Sequence, residues 1–324
     1  MQATEREKKV YGNLVEIVKR ENDCTAYRIS DETGEAVMTS HTVFQGIELI
    51  YNDVHMQTCQ VDTQPPQNIL EINHCREGRI ECEFDGGEYL YLSKGDLSIQ
   101  LKDSSSRTSC FPLGHYYGIS VAIDLEQVPK CLSCILDDVT VDSSELSKKL
   151  CEPGKYTVMR SMPCFEHIFS ELYTIPDSIK RGYMKIKVLE LLLYLNGIDL
   201  EAERSERKYF SKYQVDKVKS IKAYLVENIC RHITLEELSQ KFDIPLTSMK
   251  SCFKGVYGTS VYSFVRHYRM QSAAMLLKQT DKTIIEISGM VGYENGSKFA
   301  GAFKKVMNVT PKEYRNKLSK RSRS

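Results

Sequence analysis

The pattern of apolar and polar positions repeats itself near the end of the chain. Residues 234–242 (TLEELSQKF) are echoed 49 residues later by residues 283–291 (TIIEISGMV), and each copy has apolar residues at i, i+3 and i+7. This spacing places the apolar side chains on one face of a short helix. Thr234 and Thr283 stand where a helix N-cap is expected. The pattern therefore predicts the same short helix twice.

The echo continues after a one-residue shift, with a second apolar stripe at i, i+3, i+4 and i+7. Its members are Met249, Cys252, Phe253 and Val256 in the first copy and Phe299, Ala302, Phe303 and Val306 in the second. Gly258 and Asn308 follow where a helix commonly ends in the left-handed conformation. Each copy is predicted to form helix, turn and helix, at about residues 234–257 and 283–307.

Two readings fit this pattern. The second helix of each copy can lie in the major groove of DNA, or the repeat can form helical hairpins that bind another protein. Charge favours DNA, because residues 211–324 hold 21 basic and 9 acidic residues, a net charge of +12. The other 210 residues hold 23 basic and 34 acidic residues, or −11, so the overall charge of +1 conceals two regions of opposite sign. A polyanion is the natural partner of the basic region.

The same region resembles a known family. Residues 233–315 are similar to the DNA-binding domain of the AraC/XylS family of transcriptional regulators. The runs that carry the resemblance are 258–266 (GTSVYSFVR), 269–277 (RMQSAAMLL), 284–287 (IIEI), 291–295 (VGYEN), 298–300 (KFA), 302–305 (AFKK) and 310–315 (TPKEYR).

The family fold holds two helix-turn-helix units on one long helix. A predicted apolar face between Ser260 and Gln279 fits that helix, and its members are Val261, Phe264, Val265, Tyr268, Ala273, Met275, Leu276 and Leu277. Two recognition helices held apart by this long helix would enter successive major grooves, roughly 34 Å apart.

The resemblance also assigns roles to individual residues. Base contacts are expected for Ser248, Lys250, Ser251, Ser297, Lys298 and Gly301, and phosphate contacts for Lys254, Lys304 and Lys305. Family members often carry arginine near the position of Gly301, and glycine has no side chain that could pair with guanine. Lys298 either reads a guanine in its place or contacts a phosphate. Three further departures from the family pattern are Ser239 and Ser288 for alanine and Asn308 for glycine.

The first half of the chain alternates in the manner of short β-strands. Residues 69–101 show such alternation, with a predicted hairpin at Asp85-Gly86-Gly87, and residues 46–51 and 117–123 are further strand candidates. Several short antiparallel strands predict a small β-barrel or sandwich. Their order resembles the cupin-like sensor half of many AraC-type regulators.

Two helices are predicted after the strands, at residues 163–173 and 177–196, the second with Ile186, Leu189, Leu192 and Leu193 on one face. Such a pair either forms a homodimer interface, as in family members, or covers one end of the barrel. The fold class is therefore α+β, with a cupin-like β-barrel and helical pair followed by an all-α domain. The expected domains are an effector-sensing and dimerisation domain at 1–198, a linker at 199–212 and the DNA-binding domain at 213–318.

The sequence gives little sign of metal or catalytic chemistry. Eleven cysteines include one pair, Cys131 and Cys134, at metal or redox spacing, but no second pair completes four ligands. The His-x-His pattern of metal-binding cupins is missing from residues 79–83, and a phosphate-binding glycine loop and a nucleophile elbow are also missing. We expect no metal, cofactor or catalytic residue. Without an apolar signal peptide or an 18-residue apolar span, the expected location is the cytoplasm.

The expected function is that of a sequence-specific DNA-binding transcriptional regulator. Its expected partners are double-stranded promoter DNA, RNA polymerase, an unidentified small-molecule effector and a second copy of the chain, without membrane association. The effector-binding residues are not identified by the sequence. One alternative is a catalytic β-barrel that carries a DNA-binding tail, and another is a regulator whose first half serves only for dimerisation or partner binding.

Overall fold

The computed structural model describes residues 2–60, 68–84, 87–102, 108–129, 142–151, 157–199 and 208–321. The chain forms two compact units, Met1–Tyr209 and Phe210–Ser324. Cys131 and Cys134, Asp85 and Gly86 of the predicted hairpin, and residues 200–207 of the predicted linker lie outside the described residues.

The described residues of the first unit form antiparallel strands and four helices. In chain order its elements are α1 Glu5–Tyr11, β1 Glu16–Glu21, β2 Cys24–Asp31, β3 Gly34–Phe44, β4 Ile47–His55, β5 Thr58–Gln60, β6 Ile69–Gly78, β7 Ile80–Phe84, β8 Glu88–Leu92, β9 Leu97–Lys102, β10 Thr108–Cys110, β11 Tyr116–Asp124, α2 Ser143–Leu150, β12 Thr157–Met159, α3 Pro163–Leu172 and α4 Lys180–Gly197. One sheet has the order β1-β2-β3-β4-β11-β6-β9-β12, and the second contains β8, β7, β10 and β5 in that order.

The larger sheet uses its two faces differently. On β6, Leu70 and Ile72 belong to a fully buried cluster that includes Phe165 and Phe169 of α3. The alternate residues of the same strand, Glu71 and Asn73, point to the other side and line an interior cavity. The two-residue period of a strand thus separates an apolar face under the helices from a polar face toward the interior.

The predicted strands are confirmed as β4, β6, β7, β8, β9 and β11, and the predicted helices as α3 and α4. Strands β1, β2 and β3 were not predicted. Gly34, at the turn between β2 and β3, was the signal in the sequence that could have indicated them. It has φ +147°, and a Cβ atom there would overlap the His55 carbonyl oxygen. Among the residues predicted to share one face of α4, Leu192 is fully buried, whereas Ile186 is 61% exposed. The buried residues of α4 are Met184, Lys187, Val188, Leu191, Leu192 and Leu195.

The second unit is helical. After a two-residue strand, Phe210–Ser211, it consists of α5 Lys212–Glu227, α6 Leu235–Lys241, α7 Leu246–Tyr257, α8 Val261–Gln279, α9 Ile284–Met290, α10 Gly296–Met307 and α11 Pro311–Arg321. The predicted long helix is α8, although Met275 on its predicted apolar face is 55% exposed. The α+β fold class, with two helix-turn-helix units joined by α8, is confirmed. Within the described residues, no helix is long and apolar enough to cross a membrane.

Candidate nucleic-acid interface

The two short first helices begin in the same way. In α6 the Thr234 Oγ1 accepts the Glu237 N–H at 3.1 Å, and the Glu237 carboxylate accepts the Thr234 N–H at 2.7 Å. In α9, Thr283 and Glu286 make the equivalent bonds at 3.2 and 2.7 Å. Both predicted N-caps are therefore confirmed as complete capping boxes, which satisfy N–H groups that a helix start otherwise leaves unpaired.

A serine closes each turn between the helices. The Ser239 carbonyl accepts the Ile244 N–H at 3.1 Å, and the Ser239 hydroxyl donates to the Ile244 carbonyl at 2.7 Å. Ser288 and Tyr293 repeat both bonds, each at 2.9 Å. Alanine could make only the backbone bond. The two serines that depart from the family pattern thus have the same structural role, since each adds one hydrogen bond across its turn.

The one-residue shift between the copies lies in the second turn. Helix α7 begins after Pro245, whereas α10 begins after Asn295, whose side chain accepts the N–H groups of Ser297 and Lys298 at 2.9 and 3.0 Å. Both helices end at a left-handed residue, Gly258 with φ 73° and Asn308 with φ 59°. These ends confirm the predicted equivalence of glycine and asparagine.

On α7, the predicted contact residues Lys250, Ser251 and Lys254 are exposed on one face. Ser248 is half-buried, and its hydroxyl accepts a hydrogen bond from Gln214 Nε2 at 2.6 Å. Thr247 is also exposed on this helix and was missed by the sequence analysis. The predicted alignment of Met249 with Phe299 pairs Thr247 with Ser297, so transferring the expected role of Ser297 across it would have found Thr247.

On α10, the predicted residues are exposed together along one side of the helix. They are Ser297, Lys298, Gly301, Lys304 and Lys305. Phe299 and Phe303 lie on the opposite side and are fully buried. This division fixes which face of α10 is free to meet a partner, and that face carries three positive charges.

One arginine of α8 ties the segment between α5 and α6 to the turn of the second helix-turn-helix unit. Arg269 donates from Nε to the Ile229 carbonyl at 2.9 Å, from Nη2 to the Arg231 carbonyl at 2.8 Å, and from Nη1 to the Gly292 carbonyl at 3.1 Å. The first two carbonyls follow α5, and the third lies in the turn of the second unit. A Cβ atom at Gly292 would lie 2.9 Å from Arg269 Cζ, so glycine leaves space for this clamp.

The interior of the first unit contains a cavity of about 500 Å³. A hydrogen-bonded row of polar side chains crosses its wall from β4 to β6. Asn52 Nδ2 donates to Ser120 Oγ at 2.7 Å, Ser120 Oγ donates to Asn73 Oδ1 at 2.5 Å, and Asn73 Nδ2 donates to Glu71 at 3.3 Å. Volumes of this size are common for small-molecule sites.

Glu71 is the charged end of this row. Burial opposes its ionisation, but Lys102 at 2.7 Å, together with Gln100 and Asn73, holds the pKa of Glu71 below its ordinary value. The carboxylate therefore stays ionised and paired. Within the described residues, no group of three or more His, Cys, Asp or Glu side chains could hold a metal ion.

Helix α1 supplies another polar group to the cavity. Tyr11 is 8% exposed, lines the cavity and stacks on Tyr27 with ring centroids 4.3 Å apart. Ser40 lies near its hydroxyl, but among the described residues the hydroxyl has no hydrogen-bond partner. The Ser40 hydroxyl instead donates to Glu48, another cavity residue, at 2.8 Å. Burial raises the pKa of Tyr11 well above its ordinary value, so the phenol keeps its proton.

Comparison with known proteins supports the DNA-binding assignment of the second unit. A family model described as a helix-turn-helix domain matches residues 238–317. The uncharacterized HTH-type transcriptional regulator YdiP of Escherichia coli K12 is 29% identical over 208 residues, which cover 61% of this chain and 67% of YdiP. The xylose operon regulatory protein of the same strain is 27% identical over 144 residues, 42% of this chain and 36% of that protein.

The chain thus spans about two thirds of one relative and about a third of the other. Among solved structures, the C-terminal domain of the two-component response regulator yesN from Fusobacterium nucleatum is 31% identical. The match covers 31% of this chain and 98% of that domain, with a TM-score of 0.30.

Proposed function

The chain belongs to the AraC/XylS family of helix-turn-helix transcriptional regulators, and from this premise we propose that it binds promoter DNA through α7 and α10. The observation that carries the proposal is the equivalent start, turn and end of the two units, each with an exposed and basic second helix. The contacting residues are Ser248, Lys250, Ser251, Ser297, Lys298 and Gly301 toward bases and Lys254, Lys304 and Lys305 toward phosphates. Phosphate contacts position the protein, and base contacts specify the sequence.

Selection of double-stranded DNA from a random library by the full-length protein tests this function. We expect two conserved half-sites whose centres are about 10 base pairs apart, because the two helices would enter successive major grooves. Enrichment of no motif, with binding that depends only on salt, would contradict sequence-specific recognition.

Lys298 can be assigned by a matched pair of variants. If Lys298 reads a base, Lys298→Ala changes the preferred base at one position and discrimination there falls by about 1–3 kcal/mol. If it contacts a phosphate, affinity falls equally on all sequences. Lys278→Ala removes an exposed lysine of α8 as the control, and the binding profiles of the variants are compared by competition titration. If the affinities of Lys298→Ala for all sequences equal those of Lys278→Ala, Lys298 contacts neither a base nor a phosphate.

We further propose that the cavity of the first unit binds the effector. Its polar wall, the unpaired Tyr11 hydroxyl and the Glu48 carboxylate support this role. Glu71 and Asp124 are already paired with Lys102 and Arg6 at 2.7 Å each, so the two cationic side chains of the wall are engaged. The other polar groups of the wall include donors as well as acceptors, such as the Tyr11 hydroxyl, but the Glu48 carboxylate adds a negative charge. This charge favours a neutral or cationic ligand that carries several hydroxyl or amine groups over an anion.

Ligand-induced stabilisation tests the effector site. Polyols, neutral sugars, amino sugars, amines and carboxylic acids are screened for an increase in the melting temperature of the full chain. We expect a stabilising compound among the neutral or cationic compounds that carry many hydrogen-bond donors. Its affinity should fall at least tenfold in Glu48→Gln. A hit restricted to carboxylic acids would contradict the proposed ligand class. Chemical conversion of the ligand would instead favour the alternative, a catalytic barrel with a DNA-binding tail.

Two partners complete the proposal. A homodimer through residues 163–196 is supported by the exposed Ile186 and Tyr194 of α4, which are 61% and 48% exposed. Ile186→Glu should then yield monomers in sedimentation velocity, whereas an unchanged sedimentation coefficient would contradict this interface. RNA polymerase is the expected partner once the regulator occupies promoter DNA.

A further inference from the structure

We propose that the two helix-turn-helix units divide their work, so that α7 reads most of the base sequence and α10 mainly holds the duplex by its phosphates. This inference rests on the proposed DNA binding and adds which half-site carries the information. It follows from differences between two helices that are otherwise built alike.

The equivalent positions can be compared directly, because Met249 and Phe299 occupy the same buried place in the two units. Three positions on the face that points away from the core are compared, and α7 presents Thr247, Lys250 and Ser251 there. At the same positions α10 presents Ser297, Ala300 and Gly301. Lys250 and Ser251 can pair with base edges, whereas alanine and glycine offer no hydrogen-bonding side chain. At the second and third of these positions, α7 therefore has side chains that can hydrogen-bond to bases, and α10 has none.

The packing of the protein does not account for the glycine in α10. A Cβ atom at Gly301 would meet no atom of the described residues within 4 Å. Gly255 in α7 is different, because a Cβ atom there would overlap the ring of Phe210. Gly301 is therefore free of an internal packing constraint, and its lack of a side chain lets the helix backbone approach a DNA strand closely.

The charged positions show the opposite distribution. Lys298, Lys304 and Lys305 of α10 are all exposed. Their equivalents in α7 are Ser248, Lys254 and Gly255. Gln214 donates to the Ser248 hydroxyl at 2.6 Å, and Phe210 lies against Gly255, so one flank of α7 is occupied by residues that precede or begin α5. At these three positions α10 presents three cations and α7 one, while the second lysine of α7, Lys250, stands at a reading position. This distribution favours α10 as the stronger phosphate-binding helix.

Two double variants separate the roles. The double variant Thr247→Ala with Ser251→Ala removes two side chains proposed to contact bases and leaves the net charge unchanged. We expect a changed base preference in one half-site and an unaltered salt dependence of the DNA affinity. Lys304→Ala with Lys305→Ala should weaken binding to all sequences equally and reduce the slope of log K against log salt by about 2. Both are measured on the full chain by library selection and by salt titration of one selected site.

A gain of function provides a third test. Because the space around Gly301 is open, Gly301→Arg should fold normally by circular dichroism and create a new guanine preference in the other, weaker half-site. Equal sequence information in both half-sites of the original protein, or altered base preference after Lys304→Ala with Lys305→Ala, would overturn the division. Failure to enrich any motif would overturn the proposed DNA reading itself, and the division with it.

Discussion

Phe303→Asp is expected to unfold the second helix-turn-helix unit. Phe303 is fully buried in α10, with its ring 5.8 Å from that of Phe299 and 5.6 Å from that of Tyr314. Loss of a buried aromatic side chain costs about 3–5 kcal/mol. The carboxylate adds a desolvation cost of several kcal/mol, because Phe303 packs in an apolar cluster with Phe299, Ile287 and Leu277. Together these costs match the whole stability of a typical domain, about 5–15 kcal/mol.

Hydrogen exchange of the full chain locates the damage. We expect loss of protection in α9 and α10 and loss of DNA binding. Lys304→Asp is the matched control, since it introduces the same carboxylate at the next residue, which is exposed. This control should keep native protection while binding DNA more weakly, because it replaces a cation by an anion near phosphates. Native protection of α10 in Phe303→Asp would show that the core assignment is wrong.

The repeated helices were predictable because their determinants are local. Each capping box joins residues three apart, Thr234 with Glu237 and Thr283 with Glu286. The apolar stripes also lie within single helices, and the left-handed ends fall on Gly258 and Asn308. A sequence shows such short-range relations directly.

The clamp by Arg269 could not be predicted in this way. A charged side chain within a helix normally predicts a solvated face, but Arg269 donates to carbonyls of Ile229 and Arg231, 40 and 38 residues away, and to Gly292. Its role depends on tertiary contacts that no local period records. The resemblance to the family includes Arg269 but does not reveal what its side chain contacts.

The first three strands were missed for a related reason. Alternation marks a strand when one face is apolar and the other polar, and here the interior face itself is partly polar. Thr42 on β3 lines the cavity, and Ser40 on the same strand donates to Glu48 of the cavity wall. A polar cavity wall thus weakens the alternation of apolar and polar residues that predicts a strand. The same polar residues carry the proposed effector site.

The stability of the first unit is expected to fall as the pH drops from about 6.5 toward 4, because His74 must stay neutral in the fold. His74 is 5% exposed, and its ring stacks on Phe169 of α3 with centroids 4.1 Å apart. Neither ring nitrogen has a hydrogen-bond partner in the part of the chain that the structure describes. Burial, opposed by Glu166 and assisted by Arg76, lowers the pKa of His74 from 6.5 to about 4.

The sign of the effect follows from the direction of this shift. Above pH 6.5 the imidazole is neutral in both states, and the group adds no pH dependence. Between 6.5 and 4 the unfolded chain binds a proton that the folded chain excludes, so the free energy of unfolding declines. One pKa unit corresponds to about 1.4 kcal/mol, so the full loss is about 3 kcal/mol. It is complete once the pH falls below the folded pKa.

His74→Phe should remove this loss while keeping the stacked ring. The variant also eliminates two buried nitrogens without partners, so we expect it to be more stable than the original protein at pH 7, by about 1–3 kcal/mol. Hydrogen exchange of β6 at pH 7 and pH 5 measures both effects after correction for the intrinsic exchange rate. His115→Gln changes an exposed histidine, and its free energy of unfolding should decline with pH as that of the original protein does. If His74→Phe loses stability toward pH 5 as steeply as the original protein, carboxylates rather than His74 govern the acid response of this unit.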